Sequence, residues 1–200
     1  MSFPQSSPQA ELFDNPAPLP HGLVYLQEFI TPAQEAKLVE SIAPLPFREA
    51  RFQQYLARRR VVHFHPQSET ERYDKGDADT FSSGPLPPFL VTLQQTVATR
   101  LAIDPAQFVH ALVTEYRPGT PIGWHRDKPI YGVVAGLSLA GWGRMRFRPL
   151  DSKAPKDAMV LLDLAPRSLY MMQGAIRWDW QHSLLPTRTL RYSITFRTRA

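Results

Sequence analysis

From residue 108 to the C-terminus the chain is divided into apolar segments too short and too often interrupted for helices. Residues 109–116 alternate in character and run into Arg117-Pro118-Gly119-Thr120-Pro121, where two prolines and a glycine demand a turn. Further runs rich in aliphatic and aromatic residues cover 133–139, 144–147, 159–164, 169–172 and 190–197, punctuated by Gly141-Trp142-Gly143 and Gln173-Gly174. Strands this short bury their apolar faces only against a second sheet or by closing on themselves. The cadence therefore predicts a sandwich or closed barrel.

The first half supplies what covers such a sheet. Residues 1–20 hold five prolines (Pro4, Pro8, Pro16, Pro18, Pro20) and read as a flexible lead-in. Residues 23–29 suit a first strand. Thr31-Pro32-Ala33-Gln34 is a helix start, with Thr31 as N-cap, Pro32 in the first turn and Gln34 closing a capping box. Leu38, Val39 and Ile42 form that helix's apolar stripe, and Pro44 ends it. A second helix fits residues 87–101, where Phe89, Leu93, Val97 and Leu101 recur every four residues. Residues 58–65 read as a strand, and the polar stretch 67–84 as a long surface loop and candidate substrate lid. The whole predicts one mainly β domain with flanking helices (α+β), residues 21–200, with the helices packed on one face.

Composition removes several kinds of chemistry. There is no cysteine, so disulfides, thiolate metal sites and cysteine nucleophiles are excluded, and any metal must take nitrogen and oxygen ligands. No secretory signal or membrane-length apolar run is present, which points to the cytoplasm and away from membranes. The net charge of +5 leans toward an anionic partner. Nothing in the sequence demands more than a monomer.

Within this frame Trp124-His125-Arg126-Asp127 stands out. In an extended segment, side chains two residues apart share a face, so His125 and Asp127 converge as a nitrogen and oxygen ligand pair. They follow the Pro-Gly turn and precede an apolar strand, which places them at a strand end. His182, in the turn-rich stretch Arg177-Trp178-Asp179-Trp180-Gln181-His182, is the best third ligand. Two histidines and a carboxylate on one face of a metal leave the opposite positions open, the arrangement of non-haem Fe(II) oxygenases. His63, His65 and His110 read instead as hydrogen-bonded core or surface residues. In the last strand Arg191, Ser193, Thr195 and Arg197 share one face and Tyr192, Ile194 and Phe196 the other. Two guanidiniums facing the interior of a barrel need an anion, and a dicarboxylate co-substrate suits their planar forks.

The order His-x-Asp, distant His, Arg-x-Ser-x-Thr-x-Arg resembles the AlkB family of Fe(II)- and 2-oxoglutarate-dependent dioxygenases, most of all its compact bacterial members. Tyr116-Arg117-Pro118-Gly119, Gly136-Leu137-Ser138-Leu139 and Gly174-Ala175-Ile176-Arg177 add to the likeness, which covers about residues 108–197. The resemblance implies a double-stranded β-helix, or jelly roll, with His125, Asp127 and His182 as iron ligands. It implies that Arg191, with Tyr116 and Ser193, holds the distal carboxylate of 2-oxoglutarate, while Arg197 sits near the carboxylate that chelates iron. Its implied activity is oxidative dealkylation of N-alkylated bases in DNA or RNA, with O2 as co-substrate and release of aldehyde, succinate and CO2.

Candidate substrate contacts are Trp124, Arg58 and Arg59. Arg144, Arg146 and Arg148 on one strand face offer phosphate contacts, and Trp178 and Trp180 further stacking surfaces. The chain departs from the family pattern in three places. Thr114-Glu115-Tyr116 stands where members commonly carry Asn-x-Tyr, and Arg191-Tyr192-Ser193 where they carry Arg-x-Asn. Pro129 stands where some nucleic-acid-repairing members place an acid. The alternatives are the same oxidant acting on a protein or small molecule, and a nucleic-acid-binding module with an inactive metal site.

Overall fold

The computed structural model describes residues 19–52, 55–65, 84–151, 153, 155 and 158–200. The expected lead-in up to residue 18, the candidate lid over 67–83 and the Arg58 side chain lie outside the described residues. Strand β1 (Leu23–Leu26) stops short of the expected residue 29, because Glu28 takes a left-handed backbone with φ 49° that cannot continue an extended pairing. Helix α1 (Pro32–Ile42) starts as the capping box dictates. The Thr31 hydroxyl accepts from the Gln34 N–H at 3.2 Å, and the Gln34 side-chain oxygen accepts from the Thr31 N–H at 2.8 Å. Strands β2 (Arg48–Phe52) and β3 (Tyr55–Phe64) form an antiparallel pair, and β2 had no clear signature in the sequence. Helix α2 (Pro88–Leu101) follows, ended by Ala102 in the left-handed conformation.

The second half holds β4 (Phe108–Tyr116), β5 (Ile122–His125), β6 (Tyr131–Leu139), β7 (Gly143–Pro149), β8 (Val160–Leu164) and β9 (Leu169–Met172). A short helix α3 (Ala175–Trp178) leads to β10 (Trp180–Leu184) and the last strand β11 (Arg191–Arg199). The stretch around His182 is therefore strand rather than turn. Its few aliphatic residues hide this in the sequence, but β10 is paired on both sides, with β5 and β7.

Among the described residues the strands make two antiparallel sheets. The larger has the order β1-β9-β6-β11-β4-β3-β2 and the smaller β5-β10-β7-β8. The alternation of side chains then defines three layers. From the larger sheet Val62, Phe64, Ala111, Val113, Ile194 and Phe196 face α1 and α2, where Ile42, Leu90 and Val97 are fully buried. Each such side chain contributes about 1.5–3 kcal/mol. The opposite face meets the smaller sheet across Val134, Tyr170, Met145, Phe147, Leu164 and Leu184. The helices thus cover the outer face of the larger sheet, and a cavity opens between the sheets. Among the described residues no helix is long and apolar enough to cross a membrane.

Candidate metal and co-substrate site

The ligand candidates converge through strand pairing. In the register of β5 and β10, His125 lies opposite His182, and their ring centroids are 4.3 Å apart. Asp127 continues the extended run past the end of β5, so it returns to the face of His125. Its Oδ2 lies 3.7 Å from His182 Nε2. Its Oδ1 accepts from Arg197 Nη2 at 2.8 Å and Nε at 3.1 Å, leaving the second oxygen on the histidine side.

The protonation states suit ligation. His125 Nδ1 lies 2.9 Å from the Gly123 carbonyl, which can only accept, so Nδ1 is the donor and Nε2 is the nitrogen left to face a metal. Burial, reinforced by His125, lowers the His182 pKa to about 3, so its imidazole is neutral at pH 7. Burial alone would raise the Asp127 pKa, but Arg197, His182 and His125 overcome it, and the carboxyl lies well below the usual range. Among the described residues no three histidines or acids close into a complete metal cage. Arg197 draws Asp127 to its own side. Two imidazoles and one ionised carboxylate nonetheless fit Fe(II) by donor type and count.

Arg177 holds the segment that carries Asp127. This buried guanidinium donates to the carbonyls of Lys128 (2.7 Å), Tyr131 (2.7 Å), Gly132 (3.1 Å) and Asp127 (3.4 Å). In the sequence Arg177 stands out only as part of the run leading to His182. An arginine beside apolar Ile176, where a helix closes on the sheet, was the available signal.

On the larger sheet, Arg191, Ser193, Thr195 and Arg197 all line the cavity, as the period-two pattern of β11 predicts. The cavity measures about 230 Å³. Arg191 is 2% exposed; its Nε donates to Ser138 Oγ at 2.9 Å, and its guanidinium lies 4.9 Å from the centre of the Tyr116 ring. Gly143 makes room for it, since a Cβ there would stand 2.8 Å from Arg191 Nε. Among the described residues no carboxylate meets Arg191, so a buried cation faces a cavity with capacity for an anion. Thr114 and Tyr116 share this wall. Arg197 also lines the cavity, but its guanidinium is committed to Asp127 and, through Nη1, to His110 Nδ1 at 3.1 Å.

His63 and His110 are hydrogen-bonded, as expected, but they belong to the cavity wall. His63 Nδ1 lies 3.0 Å from His110 Nε2, while His65 and Tyr131 pack against the His110 ring at centroid distances of 4.6 and 5.1 Å. Alternation could have found them: with Tyr116 and Thr114 facing inward on β4, His110 must face inward too.

The substrate candidates divide. Arg59 lines the cavity, joined near the ligands by Arg126 and Lys128, which the sequence reading passed over. Trp124 does not line it. The strand turns Trp124 away from its neighbour His125, and the ring lies beneath the guanidiniums of Arg148 (4.4 Å) and Arg146 (4.8 Å). As a candidate substrate contact it therefore lies outside the lining of this cavity. Arg144 pairs with Asp163, Arg146 with Ser183 and Arg148 with Gln181. Trp178 stacks under Arg177, and Trp180 packs against the core between the sheets.

Comparison with known proteins agrees with this architecture. Residues 22–197 match the family model described as the 2OG-Fe(II) oxygenase superfamily. The tRNA (carboxymethyluridine(34)-5-O)-methyltransferase alkbh8 of Xenopus tropicalis is 31% identical over 176 residues, covering 85% of this chain and 26% of that protein. The structure of OsALKBH1 superposes with a TM-score of 0.67 at 15% identity, covering 88% of this chain and 98% of that one. A Pseudomonas putida prolyl-4-hydroxylase gives 0.58 at 16%, covering 90% and 94%. The two structures share the fold, a double-stranded β-helix.

Proposed function

The chain belongs to the 2OG-Fe(II) oxygenase superfamily, AlkB-like in kind, and from that premise we propose that this Fe(II)- and 2-oxoglutarate-dependent dioxygenase oxidatively dealkylates N-alkylated bases in nucleic acid. His125, Asp127 and His182 hold Fe(II). Arg191 pairs with the distal carboxylate of 2-oxoglutarate, assisted by the Tyr116 hydroxyl and Ser193. Arg197 fixes Asp127 by tying down one oxygen, which leaves the other for the metal. When bound, Fe(II), 2-oxoglutarate and O2 supply the oxidation, converting the keto acid to succinate and CO2 and hydroxylating a C–H bond. On an N-methyl group the product is an N-hydroxymethyl, which releases formaldehyde and leaves the free base.

The observation that carries this reading is a buried guanidinium, Arg191, in one cavity with a His-Asp-His donor set. Arg59, Arg126 and Lys128 around the ligands and a net charge of +5 support a polyanionic substrate. The name of the alkbh8 relative, a tRNA-modifying enzyme, points the same way.

The test is incubation with Fe(II), ascorbate and 2-oxoglutarate on oligonucleotides of DNA and RNA carrying N-methyl bases. Formaldehyde release and the mass of the demethylated product are followed, and binding is measured against ionic strength. Turnover that vanishes in His125→Ala and Asp127→Ala supports the assignment. Succinate formed only with peptides, or oligonucleotide binding insensitive to salt, moves the substrate to another class. Oligonucleotide binding without any succinate leaves a binding module.

A further inference from the structure

A line of hydrogen bonds runs from the ligand Asp127 away from the metal position, through Arg197 and His110 to His63. Its polarity follows from chemistry alone. A guanidinium has only donors, so where Arg197 Nη1 meets His110 Nδ1 the imidazole must accept. A histidine accepting on one nitrogen is neutral and carries its proton on the other. His110 therefore holds a proton on Nε2, and it donates that proton to His63 Nδ1. The reverse direction would need His110 to accept on both nitrogens, which only an imidazolate does. His63 in turn accepts on Nδ1, so its own proton sits on Nε2. The rings of His65 and Tyr131 pack against His110 and keep the middle of the line from turning.

His63 lies on the inward face of β3 with Arg59 and Val61, and all three line the cavity. We infer that His63 Nε2–H is a fixed hydrogen-bond donor to the substrate, held in one tautomer by His110 and Arg197, and that it selects bases with a carbonyl oxygen beside the alkylated nitrogen. His63 is then a specificity-determining residue and His110 a positioning residue. A donor that cannot reverse its polarity discriminates strongly, because a substrate offering an amino group in that place leaves two donors facing each other. In 3-methyluracil the methylated nitrogen lies between two carbonyls. In 1-methyladenine it lies between an amino-bearing carbon and a C–H. The selectivity half of this inference rests on the proposed nucleobase substrate; the tautomer half does not.

Two measurements test it on the full chain. The first is a long-range proton–nitrogen NMR correlation on protein labelled with nitrogen-15 histidine, loaded with diamagnetic Zn(II) and 2-oxoglutarate. His110 and His63 should both appear as Nε2–H tautomers, and Arg197→Gln should scramble both signals. An Nδ1–H tautomer or an imidazolium at either residue overturns the inference, whatever the enzyme does. The second compares kcat/KM on one oligoribonucleotide carrying either 3-methyluracil or 1-methyladenine. The wild type should favour 3-methyluracil, and His63→Phe should lower the ratio of kcat/KM for 3-methyluracil to that for 1-methyladenine roughly tenfold. His63→Gln, which keeps an N–H donor, should recover part of the loss. Equal losses on both bases, or none, overturn the selectivity. Turnover of neither base refutes the nucleobase reading and the selectivity built on it, while the NMR result still decides the tautomer.

Discussion

Replacing Arg197 with Leu removes the partner of a buried carboxylate and should be among the most costly single changes in this protein. Arg197 gives two hydrogen bonds to Asp127 Oδ1, at 2.8 and 3.1 Å, and one to His110 at 3.1 Å. Both members of the ion pair have only about a tenth of their side-chain surface exposed. Breaking such a pair from one side leaves an uncompensated buried charge, at a cost of about 3–5 kcal/mol. Arg197 also holds the Asp127 pKa below its ordinary value against the effect of burial. In the wild type this contribution is complete above the ordinary carboxylate pKa near 3.8 and is lost as pH falls below it, whereas in the variant burial acts without Arg197 and pushes the carboxyl up. Urea unfolding of metal-free wild type and Arg197→Leu at pH 7, 5 and 4 measures it. The difference should be about 3–5 kcal/mol at pH 7 and should shrink as pH falls toward 4, because an Asp127 left without Arg197 takes up a proton and loses its buried charge. A difference below about 1 kcal/mol at pH 7 would refute the reasoning, since that is the value of an exposed pair. A Lys at this position should restore part of the stability, because it returns the charge without the planar fork.

Three further outcomes are expected. Arg191→Leu should weaken 2-oxoglutarate binding by roughly two orders of magnitude in titration calorimetry, while stability holds or rises, because an apolar residue replaces a buried cation. Gly143→Ala should weaken the co-substrate by a smaller factor and leave metal affinity alone, since its Cβ would stand 2.8 Å from Arg191 Nε; an equal loss of metal affinity would show the strain spreading to β10. The metal-free protein should lose thermal stability as pH falls below about 6.5, because His182 and His63 stay neutral in the fold to about 3 while the unfolded chain takes up protons at the ordinary value. A melting temperature constant from pH 7 to pH 5 would contradict those burial-lowered values.

What could be read from the chain without its fold is what depends on a few neighbouring residues. The capping box of α1 is a local exchange of two hydrogen bonds between Thr31 and Gln34, and it forms as written. The division of β11 into a polar and an apolar face follows from period two, and it holds from Arg191 to Arg197. His125 and Asp127 share a face for the same reason. Tertiary structure alone decided which distant groups meet. His182 stands against His125 because β10 pairs with β5, and no property of residues 180–184 by themselves selects that partner. Trp124 turns outward although its neighbour is a ligand candidate, because the smaller sheet has only one face toward the cavity. The line from Asp127 through Arg197 and His110 to His63 joins residues on three adjacent strands and the segment after β5. Pairing and register, set by burial summed over whole sheets, put those groups within hydrogen-bonding reach, and that sum is not a local property of any stretch of the chain.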